Sequence, residues 1–134
     1  MPRVLIIDDD EAVCRAIETV LRLHACVAVV ADSGQLGIRL FEASHFDVVM
    51  VDIFMPGMDG LEAIKGFRKR APGAPIIAMS GYTSRSSSAP IPDFLGMASK
   101  LGATCCLQKP FTSQQLIAAI DACLGLGTPR DLVA

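Results

Sequence analysis

The sequence predicts an α/β domain, a doubly wound sheet of five parallel strands with helices on both faces. Three observations carry that reading. Five apolar runs of strand length occupy residues 4–7, 26–31, 47–52, 75–80 and 103–108. The clearest of them are continuous rather than alternating, as strands buried on both faces are. Segments with apolar residues at helical spacing separate the runs, and right-handed crossovers then leave a doubly wound sheet as the simplest topology.

The first run, Val4 to Ile7, stops at Asp8-Asp9-Asp10-Glu11. Behind these acids Val13, Ala16, Ile17, Val20, Leu21 and His24 recur at helical spacing, and acids ahead of a helix suit the positive end of its dipole. Residues 26–31 make the second strand. Ser33 can cap the next helix, which carries Leu36, Leu40 and Phe41, although Gly34 and Gly37 lower its propensity. The third run ends at Asp52, and the chain then breaks on Pro56, Gly57 and Gly60. Leu61, Ile64, Phe67 and Ala71 mark a third helix, closed by Lys69, Arg70 and Pro72. The fourth strand, residues 75–80, leads into a long polar loop, and loops of that length in compact domains tend to be functional or disordered. Asp93 reads as the cap of a short helix with Phe94, Met97, Ala98 and Leu101 on one side and Gly102 at its end. The fifth strand runs into Lys109-Pro110-Phe111. Thr112-x-x-Gln115 is a capping box for the last helix, whose core face is Leu116, Ile117, Ile120, Cys123 and Leu124.

Composition bounds the function. With 134 residues, 51% apolar and 19% charged, the chain reads as one globular domain over residues 1–124 and a short tail over 125–134, too short for an output domain. A net charge of −2 with scattered basic residues argues against a direct nucleic-acid surface. No apolar run is long enough to span a membrane. Five cysteines (Cys14, Cys26, Cys105, Cys106 and Cys123) are odd in number and lack CxxC spacing, and no signal peptide is evident. That combination fits a reducing, cytoplasmic location better than a disulfide framework.

The chemistry collects at the ends of the runs. In open α/β sheets ligands bind beyond the carboxyl ends of the strands, where Asp8, Asp9, Asp52, Ser80 and Lys109 all fall. Taken alone, Asp52 is also consistent with an acid that merely caps a turn. Together, three carboxylates so placed repel one another and raise one another's proton affinity. A hard divalent cation resolves that clash, and Mg²⁺ suits carboxylates combined with phosphate oxygens and water. A lysine and a hydroxyl across the crevice add a point charge and a donor. These are the parts that hold a phosphoryl group in flight, with Asp52 as the nucleophile that forms an acyl phosphate.

With these positions in this order, the sequence resembles the receiver domain of two-component response regulators, over roughly residues 3–124. The carrying residues are Asp8-Asp9, Asp52 within Asp-Ile-Phe-Met-Pro-Gly-Met-Asp-Gly, Ser80, and Lys109-Pro110-Phe111. The resemblance implies a flavodoxin-like sheet of order 2-1-3-4-5. It implies a stand-alone, single-domain signalling protein that acts by partner binding or phosphoryl relay and is no enzyme beyond its own phosphorylation and dephosphorylation. A histidine kinase or histidine phosphotransfer protein would donate the phosphoryl group to Asp52 from phosphohistidine, with Mg²⁺ required. By the same likeness Asp9 and Asp52 bind the metal with the Phe54 carbonyl, and Asp8 acts largely through water. Ser80 and Lys109 take phosphoryl oxygens, and the Lys109–Pro110 bond is cis. The acid run allows Asp9-Asp10 as the pair as well as Asp8-Asp9, and the preceding apolar run favours the earlier register.

Three departures from the family pattern bear on output. Cys106 stands where many members carry an aromatic that swings inward on activation, and a cysteine cannot sweep the same volume. The loop after Ser80 is several residues longer than usual, which would start the following helix late, near Asp93. Phe54 and Tyr82 occupy two positions that tune loss of the phosphoryl group, and bulky side chains there are expected to hinder the attacking water.

Other residues have plainer readings. Met50, Met55, Met58, Met79 and Met97 serve as core or loop packing rather than a soft-metal site. His24 and His45 read as helix-end surface residues. Cys105 and Cys106 adjoin on a strand, so their side chains point to opposite faces. Ala118, Ala119 and Ala122 give the last helix a smooth outer face, through helix propensity or as a docking surface. The competing class is an aspartyl-phosphate hydrolase of the haloacid-dehalogenase-like type, which needs a second acid two residues after the nucleophile. Phe54 holds that position and cannot shuttle protons. A nucleotide-binding domain lacks its glycine-rich motif after the first strand.

Overall fold

The computed structural model describes residues 1–54, 60–81 and 94–125. Along the chain run β1 (Arg3–Ile7), α1 (Glu11–Leu23), β2 (Val27–Ala31), α2 (Gly34–Ala43), β3 (Val48–Asp52), α3 (Gly60–Arg70), β4 (Ile76–Ser80), α4 (Phe94–Lys100), β5 (Cys105–Gln108) and α5 (Ser113–Leu124). All strand pairs are parallel, in the order β2-β1-β3-β4-β5. Five alternating units and the expected order are both present.

The period-2 pleat divides each central strand between two apolar layers. Leu5, Ile7, Val49, Val51, Ile76 and Ala78 face the layer shared with α2 and α3, where Phe41 and Phe67 meet edge to face at 5.0 Å between ring centroids. Val4, Ile6, Val48, Met50, Ile77 and Met79 face the opposite layer, with α1 and α5. Burial on both faces is why these runs are continuously apolar.

Helix ends follow the sequence signals. Asp10 caps α1 by accepting from the amides of Ala12 and Val13, Ser33 caps α2 by accepting from Leu36, and both halves of the Thr112–Gln115 capping box are made. Gly37 belongs in α2 for a packing reason. A Cβ there would collide with the Ile7 side chain, so glycine lets the helix lie close on β1.

Several core faces differ from the sequence reading. In α1 the buried residues are Cys14, Ile17 and Leu21, while Ala16 is exposed; His24, the exposed C-cap, is the helix-end surface residue expected. In α2 Ile38 lies deeper than Leu36, Leu40 or Phe41. In α4 Ala98 is buried but Met97 is 46% exposed, so Met97 is surface rather than packing. In α5 Ala119 is buried, which removes it from the smooth outer face; only Ala118 and Ala122 remain half-exposed. Each shift is a small rotation of the helical face, below what apolar spacing alone resolves. α4 is described from Phe94, so its expected late start falls outside the described residues. Met55, Met58, Tyr82, the loop through residue 92, Asp93 and the tail beyond Gly125 lie outside the described residues. Among the described residues no helix is long and apolar enough to cross a membrane.

Candidate functional site

Strand register brings the predicted residues to one edge. Ile7 pairs with Val51, so Asp8 and Asp52 follow at the same level. Asp52 pairs with Met79, which puts Ser80 one step further along, and Ser80 pairs with Gln108, which does the same for Lys109. The Lys109 amide donates to the Ser80 carbonyl at 2.7 Å, and the Lys109–Pro110 bond is cis, as expected. Asp8, Asp52 and Ser80 are the buried polar residues of the described core, exposed by 1%, 5% and 5%. A protein spends polar groups in this way only where something partners them.

Asp8 and Asp9, rather than Asp10, stand beside Asp52. Asp10 is occupied as the N-cap of α1, whereas one oxygen from each of Asp8, Asp9 and Asp52 lies within 4.8 Å of the others. Asp8 and Asp52 are buried and Asp9 is exposed, so the cluster opens to solvent on one side. The donor set is all carboxylate oxygen, which fits a hard divalent cation.

Lys109 reaches both buried acids. Its Nζ donates to Asp8 Oδ2 at 2.7 Å and stands 3.5 Å from Asp52 Oδ2. The remaining Asp8 and Asp52 oxygens are held by backbone: Asp8 Oδ1 accepts from the Asp10 amide at 2.9 Å and Asp52 Oδ1 from the Phe54 amide at 3.0 Å. Burial pushes the Asp52 carboxyl up to about 6; the Phe54 amide opposes this, the Asp8 charge adds to it and Lys109 partly offsets it. Mutual repulsion, the cause expected from sequence, is therefore secondary to burial. For Lys109, burial lowers the pKa, but the hydrogen bond to Asp8 and the charges of Asp52 and Asp8 outweigh it and raise the value.

Sequence reasoning missed one supporting residue. Gly60 begins α3 against the backbone of Asp52 and Ile53, where any Cβ would collide. The turn residues that follow Asp52 signalled a loop, but not that the next helix rests on the acid's own peptide. Cys106 is exposed on β5 in register with Ala78.

A doubly wound parallel sheet that gathers three acids, a serine and a lysine at the carboxyl ends of its strands defines a phosphoryl-handling signalling class. The model of the response regulator receiver domain matches residues 4–121, and the chain belongs to that family. Its role is that of a phosphoacceptor domain in two-component signalling, a signalling domain rather than a conventional enzyme, and such domains are phosphorylated by histidine kinases. The chain is 34% identical over 131 residues to the sensory transduction protein RegX3 of Mycolicibacterium smegmatis, covering 98% of this chain and 54% of that protein. It is 32% identical over 124 residues to the regulatory protein AtoC of Escherichia coli, covering 92% and 25%. It thus spans about half of the first relative and a quarter of the second. Among solved structures, a response regulator receiver domain protein from Clostridium thermocellum matches with a TM-score of 0.82 at 26% identity over 100% of both chains. The chemotaxis protein CheY4 of Vibrio cholerae matches with a TM-score of 0.80 at 25% identity, covering 91% of this chain and 98% of that one.

Proposed function

We propose that Asp52 is the phosphoacceptor, taking its phosphoryl group from the phosphohistidine of a histidine kinase or histidine phosphotransfer protein. The observation that carries this reading is the position of Asp52: buried at a strand end, beside Asp8 and Asp9, with Lys109 within 3.5 Å. An Asp52 oxygen attacks phosphorus, the P–N bond breaks, and the released imidazole takes up a proton. Lys109 and Ser80 receive the phosphoryl oxygens, Lys109 by moving its ammonium from Asp8 toward the new group. Asp9, Asp52 and the Phe54 carbonyl, with Asp8 beside them, would hold Mg²⁺, which when bound would supply positive charge to offset the acids and the incoming phosphate. The backbone amide of Phe54 orients the Asp52 carboxylate throughout. The phosphorylated state then alters the binding of a downstream protein or passes the group on, in the cytoplasm.

Labelling by a small phosphodonor such as acetyl phosphate tests this. The reading expects one modification that requires both Mg²⁺ and Asp52 and is absent from Asp52→Asn. Equal labelling of the variant, or labelling indifferent to Mg²⁺, contradicts it.

A further inference from the structure

Cys105 and Cys123 meet where α5 closes on the sheet. Their sulfurs stand 4.0 Å apart although 18 positions separate them in sequence. Both are free thiols, both are partly buried, and both pack in the layer between the sheet and α1 and α5. Cys105 is the first residue of β5, an edge strand of the sheet, and Cys123 lies in the last turn of α5. The neighbouring Cys106 is exposed.

We propose that Cys105 and Cys123 form an intramolecular disulfide on exposure to a hydroperoxide, making this end of the fold a thiol–disulfide modification site separate from the acid cluster. A disulfide holds its sulfurs at about 2.0 Å, so roughly 2 Å must close. An edge strand and a final helical turn are the parts of a fold that yield such a distance most readily. One thiolate attacks the peroxide oxygen, the O–O bond breaks, and an alcohol leaves with the thiol's proton, giving a sulfenic acid. The second sulfur attacks that sulfur and displaces its hydroxyl, which departs as water with the second proton. Two thiols are oxidised by two electrons and the hydroperoxide is reduced to alcohol and water. Burial and the adjacent Cys105 thiol push the Cys123 thiol up to about 12. Lys109 lies just past the opposite end of β5, so closing this bond leaves the acid cluster in place.

The test uses the full chain carrying Cys106→Ser, which removes the adjacent thiol. After treatment with hydrogen peroxide, intact mass and alkylation are read without reductant, and urea unfolding is compared with the reduced chain. The proposal expects a monomer lighter by two hydrogens, with Cys105 and Cys123 shielded from alkylation until dithiothreitol is added. It also expects a higher urea midpoint, because the closed loop restricts the unfolded chain. Loss of the product in Cys105→Ser and in Cys123→Ser supports it further; should either variant fold poorly, the alkylation pattern of the Cys106→Ser chain decides alone. A chain that gains oxygen without losing hydrogen, a cross-linked dimer, or Cys123 still open to alkylation overturns the proposal.

Discussion

Lys109 and Asp8, 101 positions apart in sequence, are joined by a 2.7 Å hydrogen bond between Nζ and Oδ2. On the proposed reading, the lysine that would bind the phosphoryl oxygens thus rests on a different acid from the one that would carry the group. This contact neutralises a fully buried carboxylate while the site waits.

Removing the lysine strands that carboxylate. Lys109→Met should lower stability by about 3 kcal/mol in the absence of divalent cations, since breaking a buried pair leaves an uncompensated charge. Part of the loss should return at saturating Mg²⁺, which the same acids would hold on the proposed reading. Urea titrations with and without Mg²⁺ measure both effects, and a loss unaffected by Mg²⁺ would separate the lysine from the metal site.

Asp52 should make folding depend on pH. Its folded-state pKa is raised from 3.8 to about 6, so the folded chain binds that proton more tightly than the unfolded chain. The linked stability is fully present below about pH 4 and lost as pH rises through about 6. At neutral pH the ionised, buried Asp52 therefore destabilises the fold. Asp52→Asn should be more stable than the parent by about 1–3 kcal/mol near pH 7 without Mg²⁺, with the difference shrinking toward about pH 4. A gain that is the same at both pH values argues against this origin.

Gly60 should tolerate no side chain. The atoms that a Cβ would strike belong to the backbone of Asp52 and Ile53, which no rotamer change can move. Gly60→Ala should lose about 1–3 kcal/mol and slow labelling of Asp52 as the acid shifts. Chemical denaturation and phosphodonor kinetics on the same sample test the pairing of the two effects.

Phe54 should set the lifetime of the phosphorylated state. Its amide holds Asp52 Oδ1, and its partly buried side chain packs against the apolar layer that α2 and α3 share. Phe54→Asn keeps the amide and replaces the bulk with a group that can orient water. Dephosphorylation should then speed up severalfold; an unchanged or slower rate contradicts the idea that the side chain hinders water.

Much of the fold was legible because burial on both faces leaves a continuous apolar run, and Val4–Ile7 and Val48–Val51 each end in acid. The register of Asp8 could be weighed from the length of that run, but that Asp10 would be taken up as the cap of α1 could not. Helical faces were read less well. Cys14 and Ala119 are small, so neither stands out as core by hydrophobicity, and Met97 looks buried by composition while facing solvent. The Cys105–Cys123 contact was invisible in the sequence, because it depends on how α5 sits against an edge strand. Gly60 read as a turn signal because sequence carries no trace of the backbone it must rest on.

The phosphoryl group is expected to sit on Asp52. Reduction of the phosphodonor-treated chain with borohydride converts an aspartyl phosphate into homoserine, which peptide mass spectrometry locates. Homoserine confined to position 52, and only in the Mg²⁺-containing sample, is the predicted result. Conversion at Asp8 or Asp9, or a stable label on Ser80 with none at Asp52, would contradict it.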